Sequence, residues 1–117
     1  MSHIAVVLVL LVALLHAFFL VLEMFLWTRP YGRKVFRQSL EQAQQSKVLA
    51  ANQGLYNGFL AAGLVWSVLT MQRDVALFFL GCVLVAGVYG AATVNRRIFF
   101  VQALPALVAI AAVCFGY

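Results

Sequence analysis

Acidic residues are scarce in this sequence: Asp and Glu together number 3 in 117 residues. Charge of either sign is thin, at 9% of the chain, where a soluble domain carries roughly a quarter. With 66% hydrophobic residues, the chain has too little polar surface to cover an apolar core in water. An ordinary soluble globule is excluded on that ground. Cysteine is scarce too, and Cys82 and Cys114 fall in apolar runs with no CxxC or metal-ligand spacing. They read as small hydrophobes, which antiparallel third and fourth helices would bring toward the same membrane face. Histidine occurs at His3 and His16 only. With no second His at i+4 and no His or Cys cluster, no metal site is expected. No glycine-rich phosphate loop, nucleophile elbow or internal repeat is visible, so the sequence names no cofactor. The formal charge of +5 does not point to nucleic acid, because the basic residues sit in two short connections rather than on an aromatic-interleaved surface.

What the chain has in abundance is long apolar runs. They predict one all-α domain over residues 1–117, a four-helix transmembrane bundle with spans at about Ile4 to Trp27, Val48 to Met71, Val75 to Asn95 and Ile98 to Tyr117. Each is long enough to cross a hydrocarbon core of roughly 30 Å at ~1.5 Å per residue. The first run lacks a basic n-region and an A-x-A-like cleavage site, so it is expected to be a retained span rather than a signal peptide. Thr28-Arg29-Pro30-Tyr31-Gly32 ends it. Pro105 falls inside the fourth, where neighbouring helices re-satisfy the freed carbonyl.

Lys and Arg are unevenly shared between the connections. The first holds Arg29, Arg33, Lys34, Arg37 and Lys47, the second Arg73 beside Asp74, and the third Arg96 and Arg97. The first and third loops are therefore expected in the cytoplasm and both termini outside. Within the first loop, Val35, Phe36, Leu40 and Ala43 make a helical apolar stripe, and Ser39 with Gln42 reads as a capping box. Either a short interfacial helix lies on the membrane here, or the second helix starts early. Trp27, Tyr31 and Trp66 read as interfacial anchors.

Polar side chains recur at one depth. Glu23 lies about 6 Å inside Trp27, and Asn52 lies at a similar level inside Val48. Gln53, Tyr56 and Asn57 follow, with Tyr89 and Thr93 on the third span and Gln102 on the fourth. Hydrocarbon penalises such groups, so they are expected to face the bundle interior. His16, Leu20, Glu23 and Trp27 share one helical stripe. Glu23 suits a proton carrier, a general acid or base, a counter-charge to a cationic ligand, or an ion pair with Arg96, Arg97 or a first-loop arginine. Asn52, Gln53 and Asn57 bind a ligand or join helix to helix. Small-xxx-small rows at Gly54, Gly58 and Ala62, and at Gly87 and Ala91, serve packing within the chain or an interface between copies.

Glu23-Met24-Phe25-Leu26-Trp27, Gly32-Arg33-Lys34-Val35-Phe36 and Ala50-Ala51-Asn52-Gln53-Gly54-Leu55-Tyr56-Asn57-Gly58-Phe59-Leu60 resemble a family of small bacterial integral-membrane proteins catalogued as a domain of unknown function. The resemblance covers essentially the full length and implies a four-span architecture in the cytoplasmic (inner) membrane. More loosely, the chain is similar to the membrane-associated eicosanoid and glutathione metabolism proteins. These have four spans, a long cytoplasmic first connection and a trimeric assembly. Asn52 matches that family's asparagine near the start of the second helix. Leu55 stands where its acidic residue would, and only Lys47 remains of its basic residues, so the likeness is one of architecture.

The leading expectation is a pocket on the cytoplasmic side for a small amphipathic or lipid-like molecule, lined by Glu23, Asn52, Gln53, Tyr56, Asn57, Tyr89 and Gln102. Arg33, Arg37, Arg96 and Arg97 would attract an anionic head group, and the bilayer and a second copy are the other expected partners. The alternatives are a transferase- or isomerase-like membrane enzyme with Glu23 as acid or base and Tyr56 or Tyr89 as its partner, a proton-coupled carrier using Glu23 and His16, and a structural or partner-binding protein.

Overall fold

In a computed structural model that describes residues 1–116, every regular element is helical. The helices are α1 (His3–Met24), α2 (Pro30–Phe36), α3 (Leu40–Leu69), α4 (Arg73–Thr93) and α5 (Leu104–Phe115), with a π-helical turn, Phe99–Ala103, leading into α5. The all-α class read from the apolar runs is what forms. Two of these helices, α1 and α4, are long and apolar enough to cross a membrane, and Phe99–Phe115 is a shorter apolar helix. The fourth expected span ends at Tyr117, which lies outside the described residues.

The largest departure from the sequence reading is α3, which starts at Leu40 and not at Val48. Its start is fixed by the capping box. The Ser39 backbone N–H donates to Gln42 Oε1 at 2.9 Å, and the Gln42 N–H donates to Ser39 Oγ at 3.1 Å, satisfying two donors that a helix start leaves open. The residues that follow, Glu41, Gln42, Ala43, Gln44 and Gln45, are good helix formers. Just before the box, α2 opens on Pro30 and stops at Arg37, whose left-handed backbone (φ 53, ψ 48) turns its N–H onto the Arg33 and Lys34 carbonyls. The first connection thus combines a short helix, α2, with the early start of α3. The π turn has its own cause in Pro105, which has no N–H to offer the preceding turn. There the Leu104 N–H reaches back to the Phe99 carbonyl, one residue further than in an α-helix.

The chain divides into two compact units, one of Met1–Leu14 with Leu60–Tyr117 and the other of Leu15–Phe59. The core of the first is built of small and aliphatic side chains: Ala5, Val9 and Val12 from α1, Leu64 from α3, Ala76, Leu80 and Val83 from α4, and Ala106, Ala109 and Val113 from α5. Gly87 lets α4 lie directly on the π turn, since a Cβ there would stand 2.7 Å from the Ala103 nitrogen. Arg73, at the start of α4, donates from Nη2 to the carbonyls of Val113 (2.9 Å) and Cys114 (3.3 Å), closing the carbonyl end of α5 with a cation. Cys82 and Cys114 are free thiols.

In the second unit the last turns of α1, at Leu20, Glu23 and Met24, meet α3 at Gly54, Asn57 and Gly58. Gly54 makes this approach close, because a Cβ at that position would be 2.7 Å from Met24 Cγ and 3.0 Å from Glu23 Cβ. Leu22, Ala43 and Ala50 are buried here. Trp27 follows the end of α1, with its ring 4.7 Å from that of Phe36 on α2 and its Nε1 donating to Ser46 Oγ on α3 at 3.1 Å.

Candidate functional site

The site is set by the α1–α3 crossing in the second unit. α1 carries Glu23 in its last turn, and α3 brings Asn57 to it across the contact that Gly54 permits. Glu23 and Asn57 are both buried, at 5% and 8% exposure, and Asn57 Nδ2 donates to Glu23 Oε1. A carboxyl group withdrawn from solvent needs such a donor, because leaving it unmet costs about 1–3 kcal/mol or more. Its partner is an amide in place of the arginine that the ion-pair reading would supply.

Glu23 also opens onto a groove of about 300 Å³, lined with it by Met24, Phe25, Trp27, Thr28, Lys47, Val48 and Ala51. The groove combines aromatic and aliphatic side chains with one acidic and one basic residue, Glu23 and Lys47. That is the composition of an amphipathic binding site, mostly apolar with a few placed polar groups. A second hollow, of about 460 Å³, lies at the α2–α3 corner between Pro30, Arg33, Lys34, Arg37 and Gln38. Arg33 is steadied there by a hydrogen bond from its Nε to the Thr28 carbonyl at 3.2 Å.

Of the residues the sequence singles out, Glu23 and Asn57 are brought into contact, and Arg33 and Arg37 share the corner hollow. Asn52, Gln53 and Tyr56 lie on exposed faces of α3, and Tyr56 makes an edge contact with Phe59 at 5.8 Å between ring centroids. The first unit holds Tyr89, exposed on α4, and Gln102, half-buried on the π turn. It also holds Arg96 and Arg97, exposed in the α4–π connection, where the Arg97 N–H donates to Asn95 Oδ1 at 2.9 Å. His16 is buried, with Phe19 edge-on at 5.2 Å. Among the described residues no group of three or more His, Cys, Asp or Glu side chains is placed to hold a metal ion.

Sequence reasoning missed Lys47 as a groove residue, counting it as loop charge because α3 was expected to begin one residue later. It placed Trp27 on the stripe of Glu23 and among the interfacial anchors, but not in the lining of a pocket. The signal for the Glu23–Asn57 pairing was present in the glycines. Gly54, Asn57 and Gly58 fall at i, i+3 and i+4, on one face of α3, so the residues that permit a close approach share a face with Asn57. Asn52 lies elsewhere on the helix.

A family described as "Protein of unknown function (DUF1304)" matches residues 10–114, a stretch that contains the buried pair, the groove and the corner hollow. The "Uncharacterized protein YpaA" of Lactococcus lactis subsp. lactis (strain IL1403) is 30% identical over 114 residues, covering 94% of this chain and 96% of its own length. No solved structure matches the chain.

Proposed function

The chain belongs to the DUF1304 family, and from that premise we propose that it is a four-span integral membrane protein that holds a small amphipathic molecule at the Glu23–Asn57 groove. The membrane reading is supported by the lengths and apolarity of α1 and α4 and by the large apolar side chains left outward, such as Leu14 (67% exposed), Val85 (68%) and Leu69 (79%). Water tolerates no such surface over helix after helix. On this reading the outer parts of α3 and Phe99–Phe115 are the remaining spans, both termini are outside, and the first and third connections face the cytoplasm.

The observation that carries the ligand is the groove itself. A buried carboxyl group bonded by an amide belongs to a residue that lines the same space as Phe25, Trp27, Val48 and Lys47. Glu23 supplies charge or a proton to the ligand, Asn57 fixes the carboxyl group, and the aromatic wall takes the ligand's apolar part. Asn52, Gln53 and Tyr56, exposed on the same helix, extend the site if a second copy covers them, and that copy's Tyr89, Gln102, Arg96 and Arg97 are the remaining expected contributors.

Glu23→Gln is the test, because the amide keeps the shape and can still bond Asn57. Native mass spectrometry of the purified protein is expected to show a small molecule retained by the parent and lost at least tenfold from Glu23→Gln, with unfolding temperature unchanged. A second reading, that the pair only pins α1 to α3, draws on the close approach at Gly54. It prevails if the parent retains nothing and Glu23→Gln merely unfolds earlier.

A further inference from the structure

Two helices present outward faces of the same spacing and opposite character. On α1 the outward residues are Ile4, Val7, Leu11, Leu14, Phe18 and Val21, one helical face that carries nothing hydrocarbon penalises. On α3 the same alternation of three- and four-residue steps picks out Gln45, Leu49, Asn52, Tyr56 and Phe59, all exposed. Two of these are amides and a third is a phenol. Asn52 has no hydrogen-bond partner among the described residues. It lies about 7.5 Å along the helix beyond Lys47, on the apolar side of it. Acyl chains offer an amide neither donor nor acceptor, so an amide at that depth is met by another helix.

Which helix follows from symmetry. Two copies inserted in one membrane share an orientation. A two-fold axis along the membrane normal then sets α3 parallel to α3, with every residue at the depth of its own counterpart. Asn is self-complementary in that position, because each side chain both donates and accepts. A partner of other sequence has to supply a matching amide at the same level; a second copy does so by construction. Gln45 repeats the arrangement two turns further out, and Leu49, Tyr56 and Phe59 fill the steps between. A single polar residue in such a contact also fixes its register. We propose that the protein is a two-fold dimer in which α3 packs on α3 of a second copy along this face, the two Asn52 amides bonded to each other. The assignment rests on the membrane reading above and goes beyond it by naming the face and the partner that meet these amides.

The test uses the full-length chain in detergent micelles, with dimer dissociation followed by fluorescence energy transfer on dilution and stoichiometry read by native mass spectrometry. The parent is expected to be a dimer. Asn52→Leu removes a side chain with no partner inside the chain, so its thermal unfolding measured on the monomer should be unchanged. Its dimer should dissociate about tenfold more readily, the size of an interhelical amide contact in a membrane. Asn52→Gln keeps donor and acceptor and should restore most of the loss. Gln53→Leu, which removes an exposed amide from the neighbouring face of α3, should stay within twofold. In membranes, with Cys82→Ser and Cys114→Ser as background, Leu49→Cys should form a disulfide-linked pair on oxidation. Lys47→Cys, two residues away and so on the far side of the helix, should not.

A monomeric parent, or an assembly larger than two, overturns the proposal. So does an Asn52→Leu dimer as tight as the parent's, or an equal loss in Gln53→Leu, which would make the contact indifferent to which amide it buries. Linking of Lys47→Cys as readily as Leu49→Cys overturns it as well. The membrane reading fails by a different result, release of the protein from membranes by an alkaline carbonate wash.

Discussion

The contact between Glu23 and Asn57 explains how this chain tolerates its most expensive side chain. Burial strips the carboxyl group of water, and one amide donor from a neighbouring helix restores part of what is lost. Removing that donor is therefore worse than removing both partners. Asn57→Leu should cost about 1–3 kcal/mol of stability, read as an earlier thermal unfolding in detergent. Glu23→Leu combined with Asn57→Leu should recover part of that loss, because no polar group then remains unmet. Additive losses in the double variant would mean that the two side chains act independently, contrary to the hydrogen bond between them. The same residues show what sequence does and does not reveal about a site. That Glu23 and Asn57 are polar in apolar surroundings is plain from the chain. Their pairing is not, because α3 offers Asn52, Gln53 and Asn57 within two turns and the apolar residues around them mark no face. Steric room decides: Gly54 allows α1 to approach only on the side that carries Asn57.

Among the elements, α3 gains most from local chemistry. Its first eight residues, Leu40–Lys47, are mostly polar and rich in Gln, so a hydropathy reading leaves them outside the span, yet Ser39 and Gln42 satisfy each other's backbone N–H and start the helix there. The capping box was legible in the sequence and left an early start of the helix as one of two readings; hydropathy could not choose between them, because it measures burial and not helicity. The π turn was less legible still. Pro105 announces a disturbed backbone, but whether the disturbance becomes a kink or an i→i+5 turn depends on what packs against it, here Gly87 of α4 beside Ala103. Ser39→Ala should cost about 1 kcal/mol and fray α3 from its N-terminal end. Amide hydrogen exchange should then speed up across Leu40–Lys47 while Leu55 and the residues beyond it stay protected. Uniformly faster exchange along α3 would show that the cap is not what sets its start.

At the scale of the whole molecule, length and charge together bear on the four-span arrangement proposed above. α3, at 30 residues, is about 45 Å long, half as long again as a hydrocarbon core of roughly 30 Å. On the proposed four-span arrangement its excess is the mostly polar stretch from Leu40 to Lys47, placed outside the hydrocarbon on the side that carries Arg33, Lys34 and Arg37. The opposite connection has Arg73 as its basic residue, and the Val113 and Cys114 carbonyls already hold that guanidinium, with Asp74 next to it in the chain. The asymmetry in available positive charge is thus steeper than a residue count suggests, and on the four-span arrangement proposed above it favours the first and third connections on the cytoplasmic side. Single cysteines placed at Gln44, Gln72 and Asn95, in a chain carrying Cys82→Ser and Cys114→Ser, read this directly with a maleimide that does not cross membranes. In intact cells Gln72→Cys should label, while Gln44→Cys and Asn95→Cys should label only after lysis. The reverse pattern would invert the protein. Labelling of Gln44→Cys and Gln72→Cys from the same side would mean that α3 does not cross, and four spans would no longer describe this chain.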